Sequence, residues 1–373
     1  MNLKQIGKYS RIALGRISAR RAIKRGMKDG VARKPPQVVY WIQHTQCNLN
    51  CAMCNVPAVP LAQEKPFWLS DARMSEIVNE LADMGVPNLG ISGGEPLLVP
   101  DRLLRVLETA NARGIYTHFG TNGILLTEEI LREYDAIGGG HISLSVDGTG
   151  EVHDKIRGKR GVWESGVVRV LELFDKIKPR NVLLKINAIL SDENVENLPE
   201  LVEFMAQRGH MIFIQPFDPC DYHFLSEHKN PDIAHEKHPQ WIPASRLPLM
   251  NKALDAILEI EKKHPGTLMN DREHIDAIRR YFSFDLLSER TPCTLGFKNL
   301  WIRANGDIFF CIYGHIGNVR ETSVSEIWNC ENMIEARKIM LSCRFVCLLG
   351  CMFDPSLASL AKKGISVARR MLK

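Results

Sequence analysis

From residue 37 onward, short apolar runs alternate with stretches in which apolar residues recur every three or four positions. The runs VVYWIQH (38–44), NLGIS (88–92), IYTHFG (115–120), HISLSVD (141–147), NVLLKINAIL (181–190) and HMIFIQPF (210–217) have strand length and are rich in β-branched and aromatic residues. Amphipathic segments near 69–85, 101–113, 127–136, 162–177 and 194–208 separate them and predict helices. Six strands alternating with helices predict successive right-handed βαβ units. The expected fold is α/β, a parallel sheet curled into a partial (β/α)6 barrel with ligand sites at the carboxyl ends of its strands.

The pattern breaks over 218–245, where His223, His228, His235 and His238 are scattered among Pro219, Pro231 and Pro239. No pair of these histidines has i, i+4 spacing, so a solvated connector is expected rather than a metal site; a substrate-covering loop is the other reading. Helical periodicity resumes over 245–263 and continues to about 285. Beyond it, LWIRANGDIFFC (300–311) reads as a hairpin turned by Asn305–Gly306, and SVSE (323–326) as a capping box opening a helix to about Leu341. The chain thus divides into a basic helical extension (1–35), the barrel core (36–217), a connector (218–289), a small cysteine-rich α+β unit (290–352) and a C-terminal helix (353–373).

Apolar residues make up 45% of the chain, ample for a large core, yet no run approaches the length of a membrane-spanning helix. Ten cysteines without an export signal argue against a disulfide framework and for metal or cluster ligation in a reducing, cytoplasmic compartment. The net charge of +5 conceals two basic ends on an acidic body. At the C-terminus Leu357, Leu360, Ala361, Ile365, Ala368 and Leu372 follow helical spacing among Lys362, Lys363, Arg369 and Arg370. Such a helix either docks on the barrel or makes peripheral contact with an anionic membrane surface; nucleic acid is not the expected partner.

Cys47, Cys51 and Cys54 crowd into HTQCNLNCAMC directly after the first strand. Structural zinc, with His44 as fourth ligand, is one reading, although such sites usually combine two paired ligand clusters. Three thiolates on a cubane cluster would instead leave one iron open for catalysis. C-x3-C-x2-C after the first strand, together with ISGGEP (91–96) ending the second, resembles the radical S-adenosylmethionine (SAM) superfamily over residues 36–217. The resemblance implies a 4Fe-4S cluster on the three cysteines, with SAM chelating the fourth iron and yielding a 5′-deoxyadenosyl radical. It assigns Gly93, Gly94 and Glu95 to the methionine moiety, and Arg157 in HDKIRG to the SAM carboxylate. Ser145 and Asp147 fall at the end of the fourth strand, beside the same ligand, while Asn122, ending the third, and Asn187 and Gln215, on the fifth and sixth, are either ligand-facing or ordinary turn or core-edge residues. Met53 stands where the family often has an aromatic residue near adenine.

The second cysteine set, Cys293, Cys311, Cys343, Cys347 and Cys351, resembles a SPASM/twitch domain, with Gly306 and Cys311 matching its G-x4-C hairpin. Its tail, C-x3-C-x3-C, lacks the family's C-x2-C pair. The resemblance implies one auxiliary 4Fe-4S cluster on Cys293, Cys311 and two of the last three; zinc is the alternative. Cys220 and Cys330 read as small apolar residues. The function expected is hydrogen abstraction from a peptide, lipid, sugar or other small-molecule substrate, fed by an electron donor such as flavodoxin or ferredoxin. About 36 residues precede the first strand, too few for a leader-binding domain, so a peptide substrate would call for a separate carrier. The alternatives from other classes are a non-enzymatic zinc- or cluster-binding module and an electron carrier.

Overall fold

A computed structural model describes residues 19–54, 56, 60–219, 237–285, 292–310, 313–343 and 347–348. Six parallel strands, β1 (Val38–Ile42), β2 (Asn88–Ser92), β3 (Tyr116–Thr121), β4 (Gly140–Ser145), β5 (Val182–Leu190) and β6 (Met211–Pro216), run in sequence order across the sheet. Before and between them lie α1 (19–26), α2 (Leu61–Glu64), α3 (Asp71–Asp83), α4 (Pro100–Ala112), α5 (Glu128–Ala136), α6 (Gly150–Arg157), α7 (Arg169–Ile177) and α8 (Leu198–Gln207). Two of these helices start where the chain offers a local acceptor: Ser70 caps α3 and Thr127 caps α5 through their hydroxyls. The connector supplies α9 (Leu247–Lys263) and α10 (Arg272–Phe282).

Strand alternation sorts the side chains onto two faces. Trp41, Ile91, Phe119 and Ile142 align in one register row and are buried under the helices. On β5 the alternation is complete, with Leu183, Lys185, Asn187 and Ile189 half-buried on the opposite, concave face. The barrel is partial, as expected.

The cysteine-rich unit is not a separate layer. Its strands β7 (Asn299–Ile302), β8 (Asp307–Phe309) and β9 (His315–Asn318) extend the same sheet to nine strands, because β7 pairs parallel with β1. The helix expected over 323–341 is two helices, α11 (Val324–Trp328) and α12 (Glu331–Leu341). Asn329 breaks it by turning its amide onto the backbone of Ala32, accepting from Ala32 N at 3.0 Å and donating to Ala32 O at 3.1 Å. Buried Arg337 completes this joint, donating to the Gly30 and Gly296 carbonyls. In α1, Ala19 and Ile23 are buried in the core, so the described part of the basic extension docks on the protein.

No helix among the described residues is long and apolar enough to cross a membrane. Residues 1–18 and the C-terminal helix expected over 353–373 lie outside the described residues, as do His223, His228 and His235; the His238 ring lies tilted against Phe217, 4.6 Å between centroids.

Candidate active site

The three close-set cysteines occupy the loop leaving β1, at the carboxyl ends of the parallel strands. Two anchors fix the entry to this loop. The Glu64 carboxylate accepts from Thr45 N (2.9 Å) and Thr45 Oγ1 (2.7 Å), and Gln46 Oε1 accepts from Leu61 N at 2.6 Å. The turn following β2 lies directly against it: Gly94 N donates to His44 O and Glu95 N to Gln46 O. A Cβ on Gly94 would stand 1.9 Å from Gln46 O, so the backbone contact itself requires glycine there.

Cys51 meets a polar side chain from the end of α6, and Cys47 one from the end of β3. Arg157, closing α6, places Nη1 3.8 Å from Cys51 Sγ and Nη2 2.6 Å from Asp147 Oδ2. Asp147 is fully buried; its Oδ1 accepts from Ile189 N at 2.8 Å, and its backbone is held by His153 and Asn194. Helix α6 is pinned to the cysteine loop by Ala52 N donating to Ile156 O at 2.9 Å. Asn122, at the end of β3, donates to Asn48 Oδ1 at 2.7 Å and lies 4.0 Å from Cys47 Sγ. Burial pushes both thiols up; the Arg157 guanidinium opposes this at Cys51. Cys54 is exposed.

Glu95 is buried and points into the structure rather than outward. Its carboxylate accepts from Thr121 Oγ1 (2.8 Å), Asn122 N (2.8 Å) and Leu97 N (3.1 Å), joining the ends of β2 and β3. Burial raises its pKa against those three donors. Met53 packs into the core, and Ser145 stands on the concave face in register with Asn187. Asn48, His153 and Asn194 also belong to this constellation, although the sequence pattern did not single them out. Asn48 could have been noticed for its position between two cysteines.

Among the described residues, no three His, Cys, Asp or Glu side chains converge as ligands of a single metal ion. A tetrahedral zinc with Zn–S bonds of about 2.3 Å needs its sulfurs about 3.8 Å apart, whereas a cubane seats each thiolate on a different iron. In the second set, Cys293, Cys343 and Cys347 are half-buried, and Cys330 is the N-cap residue of α12. Cys311 and Cys351 lie outside the described residues.

Comparison with known proteins agrees with this arrangement. Residues 41–205 match the radical SAM superfamily model, and residues 293–352 match that of an iron-sulfur cluster-binding (SPASM) domain. The AdoMet-dependent heme synthase of Methanosarcina barkeri is 27% identical over 318 residues, covering 82% of this chain and 84% of the relative. A PqqA peptide cyclase of Xanthomonas axonopodis is 26% identical over 314 residues, covering 80% and 75%. Streptococcus suis SuiB bound to S-adenosylmethionine shares the fold, with a TM-score of 0.60 at 16% identity over 86% of this chain and 72% of that one. The chain therefore carries a radical SAM domain and, towards its C-terminal end, a SPASM domain, and it is an enzyme.

These domains imply a 4Fe-4S cluster with SAM, and auxiliary iron-sulfur binding at the C-terminal end. The residues present fit such a group. Three thiols share one loop, a guanidinium lies against one of them, and the buried Arg157 Nε has no hydrogen-bond partner among the described residues.

Proposed function

We propose that the chain cleaves SAM reductively at a 4Fe-4S cluster held by Cys47, Cys51 and Cys54, and abstracts hydrogen from an organic substrate on the concave face of the sheet. The observation that carries this reading is Arg157, which reaches the Cys51 sulfur and Asp147 at once. When bound, the cluster and SAM supply one-electron cleavage of the sulfonium to methionine and a 5′-deoxyadenosyl radical. The chain's own contribution is binding and orientation. Arg157 offers its free Nε to an anionic group while Asp147 limits the net charge, and Asn122 and Ser145 border the same strand ends. Glu95 acts one layer back, fixing Asn122 through its backbone N–H.

Cys293, Cys311 and two of Cys343, Cys347 and Cys351 would hold one auxiliary 4Fe-4S cluster, and a reduced flavodoxin or ferredoxin would deliver electrons. The names of the relatives point to tetrapyrrole and peptide substrates, both organic molecules of some size. The deciding experiment reconstitutes the protein anaerobically, reduces it and measures 5′-deoxyadenosine. Release from SAM, with about eight irons per chain, is expected; stoichiometric zinc with intact SAM would overturn the assignment. Arg157→Lys keeps the charge but not the two-pronged reach. It should weaken SAM binding about tenfold, roughly 1.4 kcal/mol, in equilibrium dialysis.

A further inference from the structure

Just beyond β1, four polar side chains outside the SAM constellation meet in the interior. Gln43 and His44 leave the strand, Trp68 precedes α3, and Arg102 lies in the first turn of α4. Gln43 Nε2 donates to the Arg102 carbonyl at 3.5 Å, and the Arg102 guanidinium carbon stands 4.7 Å from the centroid of the Trp68 ring. The His44 ring lies over Trp68 from another side, 6.2 Å between centroids and 27° between planes. Gln43 and His44 are fully buried, and Arg102 is 7% exposed.

This group holds buried polar atoms with no hydrogen-bond partner among the described residues: Gln43 Oε1, the ring nitrogens of His44, Trp68 Nε1, and Arg102 Nε and Nη2. Buried polar groups are nearly always paired, so a cluster of orphans on touching side chains points to a ligand they share. The strongest of them are donors. The indole N–H and the guanidinium can only donate. Arg102 Nη1 is already engaged, donating to Leu69 O at 3.1 Å and lying 3.7 Å from Asp71 Oδ1. Nε and Nη2 form the other edge of the guanidinium, whose two parallel N–H groups match the two oxygens of a carboxylate. Asp71 does not fill that edge, and its second oxygen lies 3.2 Å from Arg105 Nε. Burial pushes His44 down to about 4, against the nearby Gln46 backbone, so the ring beside Trp68 is neutral near pH 7.

We propose that this group binds one small planar oxyanion, such as formate or bicarbonate, on the Nε–Nη2 edge of Arg102, with Trp68 Nε1 donating beside it and His44 bordering it. The orphaned atoms are shut off from solvent, so the ion is small and free rather than the end of a larger molecule. A planar monoanion matches one planar edge flanked by neutral groups; a tetrahedral dianion such as sulfate is better matched by a second charge. The ion joins elements that meet behind the cysteine loop. His44 stands three residues before Cys47, and its carbonyl accepts from Gly94 N at 2.8 Å. Leu69 N, next to Trp68, donates to Ala304 O of the cysteine-rich unit at 2.9 Å.

The test is equilibrium dialysis of radiolabelled formate with the reconstituted holoenzyme, SAM bound and no reductant, at constant ionic strength in chloride. About one formate per chain should be held with a Kd below roughly 10 mM. Bicarbonate should displace it and sulfate should not. Arg102→Lys keeps the cation but not the two-pronged edge, and should weaken binding about tenfold or more. Trp68→Phe keeps a ring but not the donor, and should weaken it about fivefold. No saturable formate binding by the unaltered enzyme overturns the proposal and leaves ordered water as the partner of these atoms. Binding that Arg102→Lys leaves undiminished, or displacement by sulfate as readily as by bicarbonate, also overturns it. The comparison of anions on the unaltered enzyme needs no variant to fold, and no readout passes through SAM cleavage.

Discussion

Cys51→Ala is expected to lower 5′-deoxyadenosine release by about a thousandfold or more, a barrier increase of roughly 4 kcal/mol. The size follows from what the thiol does. Removing it takes one of three proposed ligands from the cluster and leaves the Arg157 guanidinium facing a methyl group instead of a sulfur 3.8 Å away. The control is Cys330→Ala. Cys330 lies at the start of α12, against the hydrophobic core, and its side chain makes no capping hydrogen bond there. That variant should release 5′-deoxyadenosine within about twofold of the unaltered enzyme, a difference of under roughly 0.5 kcal/mol. Iron analysis beside the activity assay separates loss of a cluster from loss of the whole fold. Undiminished SAM cleavage by Cys51→Ala would remove this loop from the chemistry.

The strands were legible because each is short, apolar and bounded by a helix with a clean stripe. β2, read as 88–92, is Asn88–Ser92 in the structure, and β5, read as 181–190, is Val182–Leu190. The union of the two domains was not legible. β7 joins β1 by pairing Val38 with Asn299, and no local pattern encodes a partner so distant in sequence. The break before α12 was hidden for a similar reason, since Asn329 is an ordinary helix-surface residue until Ala32 arrives beside it. At the strand ends, spacing drew attention to Cys47, Cys51 and Cys54, and the family resemblance to Glu95 and Arg157. Neither could show that Glu95 would turn inward to Thr121 and Asn122, or that Arg157 would reach Cys51 and Asp147 together. Those facts depend on which side chains meet once the sheet has formed.

The buried histidines make the fold sensitive to acid in a defined window. His44 and His153 are fully buried, and burial pushes their pKa values down to about 4 and about 3. Unfolded histidine takes up a proton near pH 6.5, whereas these folded rings do not, so the unfolded state binds more protons as the pH falls. Stability is therefore fully present above about pH 6.5 and declines on acidification until the folded values are reached. At pH 5 each of the two rings accounts for about 2 kcal/mol, together about 4 kcal/mol of a net stability typically between roughly 5 and 15. His118, pushed down to about 3, and His141 act in the same direction. Glu95 and Asp147, raised by burial, act in the opposite one. A variant isolates the histidine contribution from these carboxylates. His153→Gln retains an acceptor for Asp147 N without a titrating ring. Urea unfolding at pH 7.5 and pH 5 should show the unaltered protein losing about 2 kcal/mol more than His153→Gln between the two conditions. Equal losses would mean that His153 takes up its proton alike in the folded and unfolded states, so that burial does not hold the ring neutral.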